Sequence, residues 1–399
     1  MIDIKDKLKC CGCTACKSVC PKNAIEMIED EEGFLYPNIN KGKCVNCGLC
    51  DKVCPVLNAI ENKKDPKAYI FQHKDDMVRR QSTSGGAFTA IAEYVLNQKG
   101  IVYGVMFDEN YKVIHNSVEK IEDLYKFRNS KYVQSDVCDC YERVKKDLER
   151  NRMVCFSGTS CQIEGLKRFL NKDYENLILV DVVCRAVPSP LVWKKYLKLR
   201  KEKYKNIKYI MFRDKYYGYK YSNLSIYNKE NDKNQEYHSG VETDPYLRAF
   251  FSNICDRPSC YDCKFKKGNR ESDITIWDCF EVEKYNKKLD DDKGTTRILA
   301  NSEKGKKIVQ ELGKNNTLEE ITYEQATKGF LAMFQSVKSN PRREEFFKDL
   351  NTLSEKEVFE KYFPNTMKCK IEKNARIFLI KLGIYKPLLN LGKKVRKRD

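Results

Sequence analysis

An α+β fold is predicted for this chain of 399 residues, on three observations. Two cysteine runs of identical spacing open it. From Pro66 onward, apolar runs of strand length alternate with amphipathic stretches of helix length. Beyond residue 300 the pattern reads as helical. The first run is Cys10-x-x-Cys13-x-x-Cys16-x-x-x-Cys20-Pro21 and the second is Cys44-x-x-Cys47-x-x-Cys50-x-x-x-Cys54-Pro55. The offset is 34 residues, at which Val19 and Val53 also match. This is the bacterial-type spacing for [4Fe–4S] ligands, given twice, and it outweighs a zinc or disulfide reading. Three cysteines two residues apart let one tight loop offer three thiolates to three iron corners; the fourth must come from elsewhere. In two-cluster ferredoxins the last cysteine of each run crosses to the other cluster. Cys10, Cys13, Cys16 and Cys54 are therefore assigned to one cluster, and Cys44, Cys47, Cys50 and Cys20 to the second. Cys11 has no ligand slot in its loop and reads as a small packed thiol.

The domains expected are a two-cluster ferredoxin-type domain over 1–60, a mixed α/β domain over 66–300, a helical extension over 301–363 and a basic amphipathic tail over 364–399. The first residues carry no apolar signal segment, and no run of 18 apolar residues appears, so no spanning helix is expected. Reduced thiolates holding iron fit a cytoplasmic location. The formal net charge is +18, of which +8 falls between Lys370 and Asp399. The rest is spread thinly, as on solvated helix faces, and no common nucleic-acid-binding motif accompanies it. Nucleic acid is not expected as a partner.

Taken in order, Ala24 to Ile28 and Gly33 to Tyr36 read as short strands of the first domain, and 61–65 as a polar linker. Ala68 to Phe71 is a strand. Gln81-Ser-Thr-Ser-Gly-Gly86 then opens a helix over Ala87 to Leu96; small residues there leave backbone N–H groups and the positive helix end free for a phosphate or pyrophosphate. Ile101 to Phe107 and Lys112 to His115 are paired strands, Leu124 to Asn129 a helix, 130–135 a polar loop and Asp139 to Arg150 a helix beginning near Cys138 and Cys140. Met153 to Phe156 is a buried strand. It runs through Ser157-Gly-Thr-Ser-Cys161 into a helix over Gln162 to Leu170, which brings Cys161 to a helix N-terminus where a thiolate is stabilised. The next strand, Leu177 to Val183, ends at Cys184. A helix over Trp193 to Lys203 follows, then strands over Ile207 to Asp214 and Asn223 to Tyr227, and a helix over Asp244 to Asn253. Ser302 to Phe363 reads as helices without chemistry.

Ten cysteines remain outside the ferredoxin runs and Cys11. Cys161 and Cys184 sit at two consecutive strand ends, and Cys260 and Cys263 form a CxxC loop. Four thiolates from three segments would complete a third [4Fe–4S] cluster, with Cys255 and Cys279 as rival ligands. The bland alternative is four separate buried thiols. Cys155 and Cys369 read as packing or exposed.

Several segments between about 66 and 300 resemble the beta subunit family of coenzyme F-420 hydrogenases and dehydrogenases, which are iron–sulfur flavoproteins. The carrying residues are Ser84-Gly-Gly86, Ser130-Lys-Tyr-Val-Gln-Ser135, Ser157-Gly-Thr-Ser-Cys-Gln162, Asp181-Val-Val-Cys184 with Pro188-Ser-Pro190, Arg257-Pro-Ser-Cys-Tyr-Asp-Cys-Lys-Phe265, Arg270 and Ser272 to Ile276. The resemblance implies that the mixed α/β domain binds FAD beside a cubane cluster. It places Thr83, Ser84, Gly85 and Gly86 at the flavin, with Lys131, Tyr132 and Gln134 facing flavin or substrate. Two departures stand out. Trp277-Asp-Cys-Phe280 replaces the family's Gly-Asp-aromatic-Trp, so that a Trp would narrow the site where a Gly allows close approach. Arg185-Ala186 follows Cys184 in place of His-Gly.

The function expected is a flavin-dependent iron–sulfur oxidoreductase that passes electrons between clusters and FAD and on to, or from, an organic hydride acceptor, a deazaflavin or another substrate. A redox partner protein (a ferredoxin, or a subunit of a reductase or hydrogenase) completes the chain of carriers. Lys131, Tyr132 and Arg185 are the proton or anion handlers expected near the flavin; the three histidines lack metal spacing. The alternative is an electron-transfer subunit with no substrate site of its own. The tail, with Ile371, Ile377, Phe378, Ile380, Leu382, Ile384 and Leu388 among lysines and arginines and Pro387 late in it, reads first as a frayed helix with a solvated basic end, with a basic amphipathic helix for the inner face of an anionic membrane as the alternative.

Overall fold

The structure, a computed structural model, describes residues 2, 6–59, 65–221, 223–230 and 232–385. Two short strands, β1 (Ile25–Glu29) and β2 (Leu35–Ile39), pair antiparallel within the cysteine-rich N-terminal domain, Ile25 opposite Ile39. An eight-stranded sheet organises the body. It contains β3 (Lys67–Gln72), β4 (Ile101–Phe107), β5 (Val113–Val118), β6 (Val154–Thr159) and β7 (Leu177–Val182). Strands β8 (Ile207–Asp214), β9 (Asn223–Asn228) and β10 (Tyr237–Ser239) form a separate antiparallel sheet. The large sheet is completed by β11 (Ile274–Asp278), β12 (Thr296–Ala300) and β13 (Thr317–Ile321), in the order β13-β3-β12-β11-β7-β6-β4-β5. Strands β11, β7, β6 and β4 run parallel; β3 points the same way, because it and β11 both pair antiparallel with β12.

Alternate residues of the central strands feed opposite cores, as a sheet covered on both faces requires. Val102, Cys155, Ile178 and Val180 pack with the helices Ala87–Leu96 and Glu303–Gly313 on one face. Ile101, Val154, Phe156, Leu177 and Leu179 pack on the other with the helices Cys140–Glu149 and Ser160–Leu170 and with Cys13, Ala15 and Val53 of the N-terminal domain. A third core joins the small sheet to the helices Pro190–Lys203, Pro245–Phe251, Arg343–Thr352 and Glu355–Tyr362 around Trp193, Phe212 and Tyr246.

Besides the three-residue Tyr237–Ser239, two strands were not expected. Thr296–Ala300 is wholly buried between β3 and β11, and Thr317–Ile321 interrupts the predicted helices after 302, so the sheet runs past residue 300. The second is an edge strand of five residues, too short to show a period, with Glu319 and Glu320 suited to an exposed edge. Residues 121–126 form a 3-10 helix rather than the α-helix expected from Leu124 on. The helix expected from Trp193 begins at Pro190, whose missing N–H costs nothing there, capped by the Ser189 hydroxyl. Most of the linker 61–65 and the tail beyond residue 385, with Pro387 and Leu388, lie outside the described residues.

The N-terminal domain is seated on the body by named contacts. Gly33 abuts Leu191 so closely that a Cβ would collide with it, and Phe34 enters the third core beside Val192. Arg343 grips Glu32 with two bonds of 2.6 Å. Gly165 leaves room for Cys13 against the helix that carries Cys161.

Candidate functional site

The two cysteine runs fold into the crossed arrangement their spacing predicts. One recess is lined by Cys10, Cys13, Cys16 and Cys54, the other by Cys20, Cys44, Cys47 and Cys50. In each run a residue with positive φ, Thr14 or Gly48, turns the loop into a one-turn helix that carries the third cysteine. Their surroundings differ. The four thiols of the first nest lie on residues no more than 9% exposed, whereas Cys47 of the second is open to solvent, with exposed Val45 beside it. We call these the inner and the outer nest.

A third recess, about 590 Å³ of space partly open to solvent, lies where the inner nest meets the body. Cys161, Cys184, Cys260 and Cys263 line it together with Cys11, so the four cysteines singled out by sequence are brought together. Local structure explains how. The Thr159–Gln162 capping box starts the helix that presents Cys161, and β7, the neighbour of β6, ends just before Cys184. The Cys260–Cys263 loop is held from behind by Ser336, whose hydroxyl accepts from the Cys263 N–H at 2.9 Å. The two rivals lie elsewhere: Cys255 in the third core and Cys279 against Ile70 and Val282. Cys11, expected only to pack, lines both the inner nest and the third recess, with its thiol close to those of Cys13 and Cys161.

The donor chemistry fits iron. Burial, reinforced by neighbouring thiols, pushes Cys16 and Cys184 up to about 12, and Cys161 and Cys260 also rise. Clustered buried thiols that resist ionisation one by one are stabilised as thiolates by a polycationic centre. Among the described residues no three His, Cys, Asp or Glu side chains converge to hold a single metal ion. The thiols ring recesses instead, as ligands to separate corners of a cluster do.

Arg257 joins the domains beside these recesses. Fully buried, it donates from Nε to the Cys10 carbonyl (2.7 Å), from Nη2 to the Leu35 carbonyl (2.9 Å) and from Nη1 to Gln134 Oε1 (2.8 Å). Its guanidinium lies 4.3 Å from the Tyr36 ring centre. Gln134 Nε2 donates in turn to the Cys11 carbonyl at 3.1 Å. Gln134, which the resemblance sets at a flavin, is therefore committed to the first cysteine loop. Arg185 lines the third recess and donates to Asn253 Oδ1 at 2.7 Å.

The remaining residues gather further along the same sheet edge, at the carboxyl ends of the parallel strands, where open α/β sheets place their ligands. Gly85 is pressed against the backbone of Phe71 and Thr296, where no Cβ fits, and its N–H donates to Thr296 Oγ1 at 2.8 Å. Ser84 and Thr296 hydroxyls are 2.9 Å apart, as are those of Thr83 and Ser130. Gly86, at φ 85°, starts the helix Ala87–Leu96 without a capping side chain, which leaves its first-turn amides to an outside acceptor. Asp278 pairs with Thr296 across β11 and β12 and accepts from Arg213 Nη1 at 3.1 Å; the same nitrogen donates to Tyr132 Oη at 3.0 Å. Lys215 Nζ donates to the carbonyls of Arg79, Ser84 and Lys293 at 2.6–2.7 Å. Lys131 Nζ donates to those of Lys126 and Arg128. Burial draws both amines down to about 7, against carbonyl acceptors that favour their charged form. Arg213, Lys215 and Asp278 were not singled out by sequence reasoning. Trp277, beside Asp278, points to the opposite face and packs with Leu299, Met333 and Phe330, so it does not narrow this edge.

Comparison with known proteins gives two family-model matches. Residues 151–326 match the family model for the C terminus of the coenzyme F420 hydrogenase/dehydrogenase beta subunit, and residues 9–58 match the 4Fe-4S dicluster domain. The central part of the chain is thus similar to that beta subunit, and its N-terminal part to a dicluster domain. No curated protein matches it. Among solved structures, the chain is similar to one from the F420-reducing [NiFe] hydrogenase complex of Methanosarcina barkeri, with 14% identity over 76% of this chain and 92% of that one and a TM-score of 0.44. These matches support an oxidoreductase with an iron–sulfur dicluster domain at residues 9–58.

Proposed function

We propose that this protein is an iron–sulfur flavoprotein oxidoreductase that passes electrons between three [4Fe–4S] clusters and FAD, and on to, or from, an organic hydride acceptor such as a deazaflavin. The single observation that carries the reading is the succession of three cysteine nests, with the Cys11 thiol close to a ligand of each of the last two. The clusters would be held by Cys20, Cys44, Cys47 and Cys50, by Cys10, Cys13, Cys16 and Cys54, and by Cys161, Cys184, Cys260 and Cys263. The first-turn amides after Gly86, with Thr83 and Ser84, would take the flavin's diphosphate. When bound, the clusters supply one-electron transfer and the flavin converts it to hydride chemistry.

The chain's own residues then have separable tasks. Cys47 and Val45 present the outer nest to a redox partner protein. Arg257 and Gln134 hold the inner nest against the body. On the sheet edge, Tyr132, Arg213 and Asp278 form one hydrogen-bonded group that would orient an acceptor, while Lys131 and Lys215 are amines able to hold or release a proton near neutrality. Thr296 faces Asp278 across β12 and β11, and β11 pairs in turn with β7, the strand that runs on to Cys184.

Anaerobic purification with iron, sulfide and flavin quantified together tests the proposal. About twelve irons and one FAD per chain support it; about eight irons and no flavin remove the third cluster and the flavin. One observation favours the second reading, an electron-transfer subunit serving a partner reductase: Lys131, Lys215 and Arg213 already spend their donors on partners within the protein.

A further inference from the structure

A surface helix normally turns its apolar stripe inward. The helix Met367–Lys381 does the reverse. None of its residues is buried. Met367, Ile371, Phe378 and the cap residue Leu382 are 68%, 63%, 62% and 54% exposed. Offsets of 4, 11 and 15 residues from Met367 place all four on one face at 3.6 residues per turn. The opposite side is tied to the body: Lys373 Nζ donates to the His238 carbonyl at 3.0 Å, and Arg376 lies 4.0 Å from Glu242. The helix is thus anchored with its apolar stripe outward. Exposed Lys368, Lys370 and Lys381 border that stripe, and none makes an ion pair among the described residues. The one acidic residue of the helix, Glu372, is paired with Arg376. In sequence, Lys386, Lys393, Lys394, Arg396, Lys397 and Arg398 follow, against a single acid, Asp399.

We propose that this face lies on a lipid bilayer bearing anionic headgroups, with the stripe entering the acyl boundary and the bordering lysines meeting phosphates. A second copy of the chain is a poorer occupant, since joining two such faces would oppose lysine to lysine. The inference goes beyond the redox reading and does not depend on it.

Flotation of the full-length protein, purified without oxygen, on phosphatidylcholine vesicles with and without phosphatidylglycerol tests it. The wild type should float with the anionic vesicles only. Ile371→Glu combined with Phe378→Glu should lower the bound fraction at least about tenfold, because both side chains leave the apolar boundary. The iron content of this variant should equal the wild type's, since neither side chain supports the core. Flotation that the double variant leaves unchanged, or that is equal on neutral vesicles, overturns the proposal. So does a lipid-independent dimer that the variant dissolves.

Discussion

The inner and outer nests share one spacing and differ in nearly everything around it. The inner nest abuts the body along its first loop, with a guanidinium 3.5 Å from the Cys10 sulfur and its loop carbonyls bound to Arg257 and Gln134. The outer nest faces solvent through Cys47 and Val45. The difference teaches that spacing sets which centre is held, whereas burial and neighbouring charge set what the centre is used for. A buried cation beside a ligand favours the more negative, reduced cluster, so the inner nest should have the higher potential of the two.

Removing a nest altogether is the largest test of that contrast. Cys260→Ala with Cys263→Ala should cost about four irons per chain in anaerobic iron and sulfide assays and leave the two ferredoxin-type nests loaded. Arg257→Met should make the inner nest resemble the outer one. It strands the Cys10 and Leu35 carbonyls, which should cost about 2–4 kcal/mol in denaturant unfolding and lower only the inner centre's midpoint potential in an EPR-monitored titration. A further experiment asks whether acid lability resides in the body rather than in the nests. Burial pulls His115 down to about 4, so it stays neutral while the unfolded chain takes up a proton near pH 6.5. Stability from this group is full above that pH and is lost as pH falls toward 4. His115→Gln should flatten that slope by about 2–3 kcal/mol in unfolding measured from pH 7 to pH 4. The smallest effect is expected for Glu32→Gln, which weakens the clamp to Arg343 by about 1–2 kcal/mol and should show as faster hydrogen exchange in β1 and β2.

Much of the architecture was legible because its signals are local. The eight N-terminal cysteines carry their geometry in their spacing, and the strand–turn–helix at Cys161 announces itself through small residues between apolar runs. The third nest was legible as a set of candidates, because two strand ends and a CxxC loop were visible; that Cys255 and Cys279 turn away depends on packing a sequence does not display. Thr317–Ile321 was missed because an edge strand of five residues with two glutamates has no distinguishing period. Arg213, Lys215 and Asp278 were missed for another reason. Arg213 and Lys215 come from the end of β8 and Asp278 from the remote β11, and they meet only once the sheet forms. Gln134 was named for one neighbour and met another: a loop motif gives the residue but not the direction in which it reaches.

The seating of the inner nest also bears on biogenesis. Cys10 and Cys13 meet the body once Phe34 and Glu32 are seated, whereas Cys16 and Cys54 are covered by Ile2, Ile25, Ile39 and Val56 of the N-terminal domain itself. Docking of the N-terminal segment therefore covers one side of the nest and leaves the other to that segment's own apolar residues, so a centre assembled before docking would gain a shielded flank when the two halves meet.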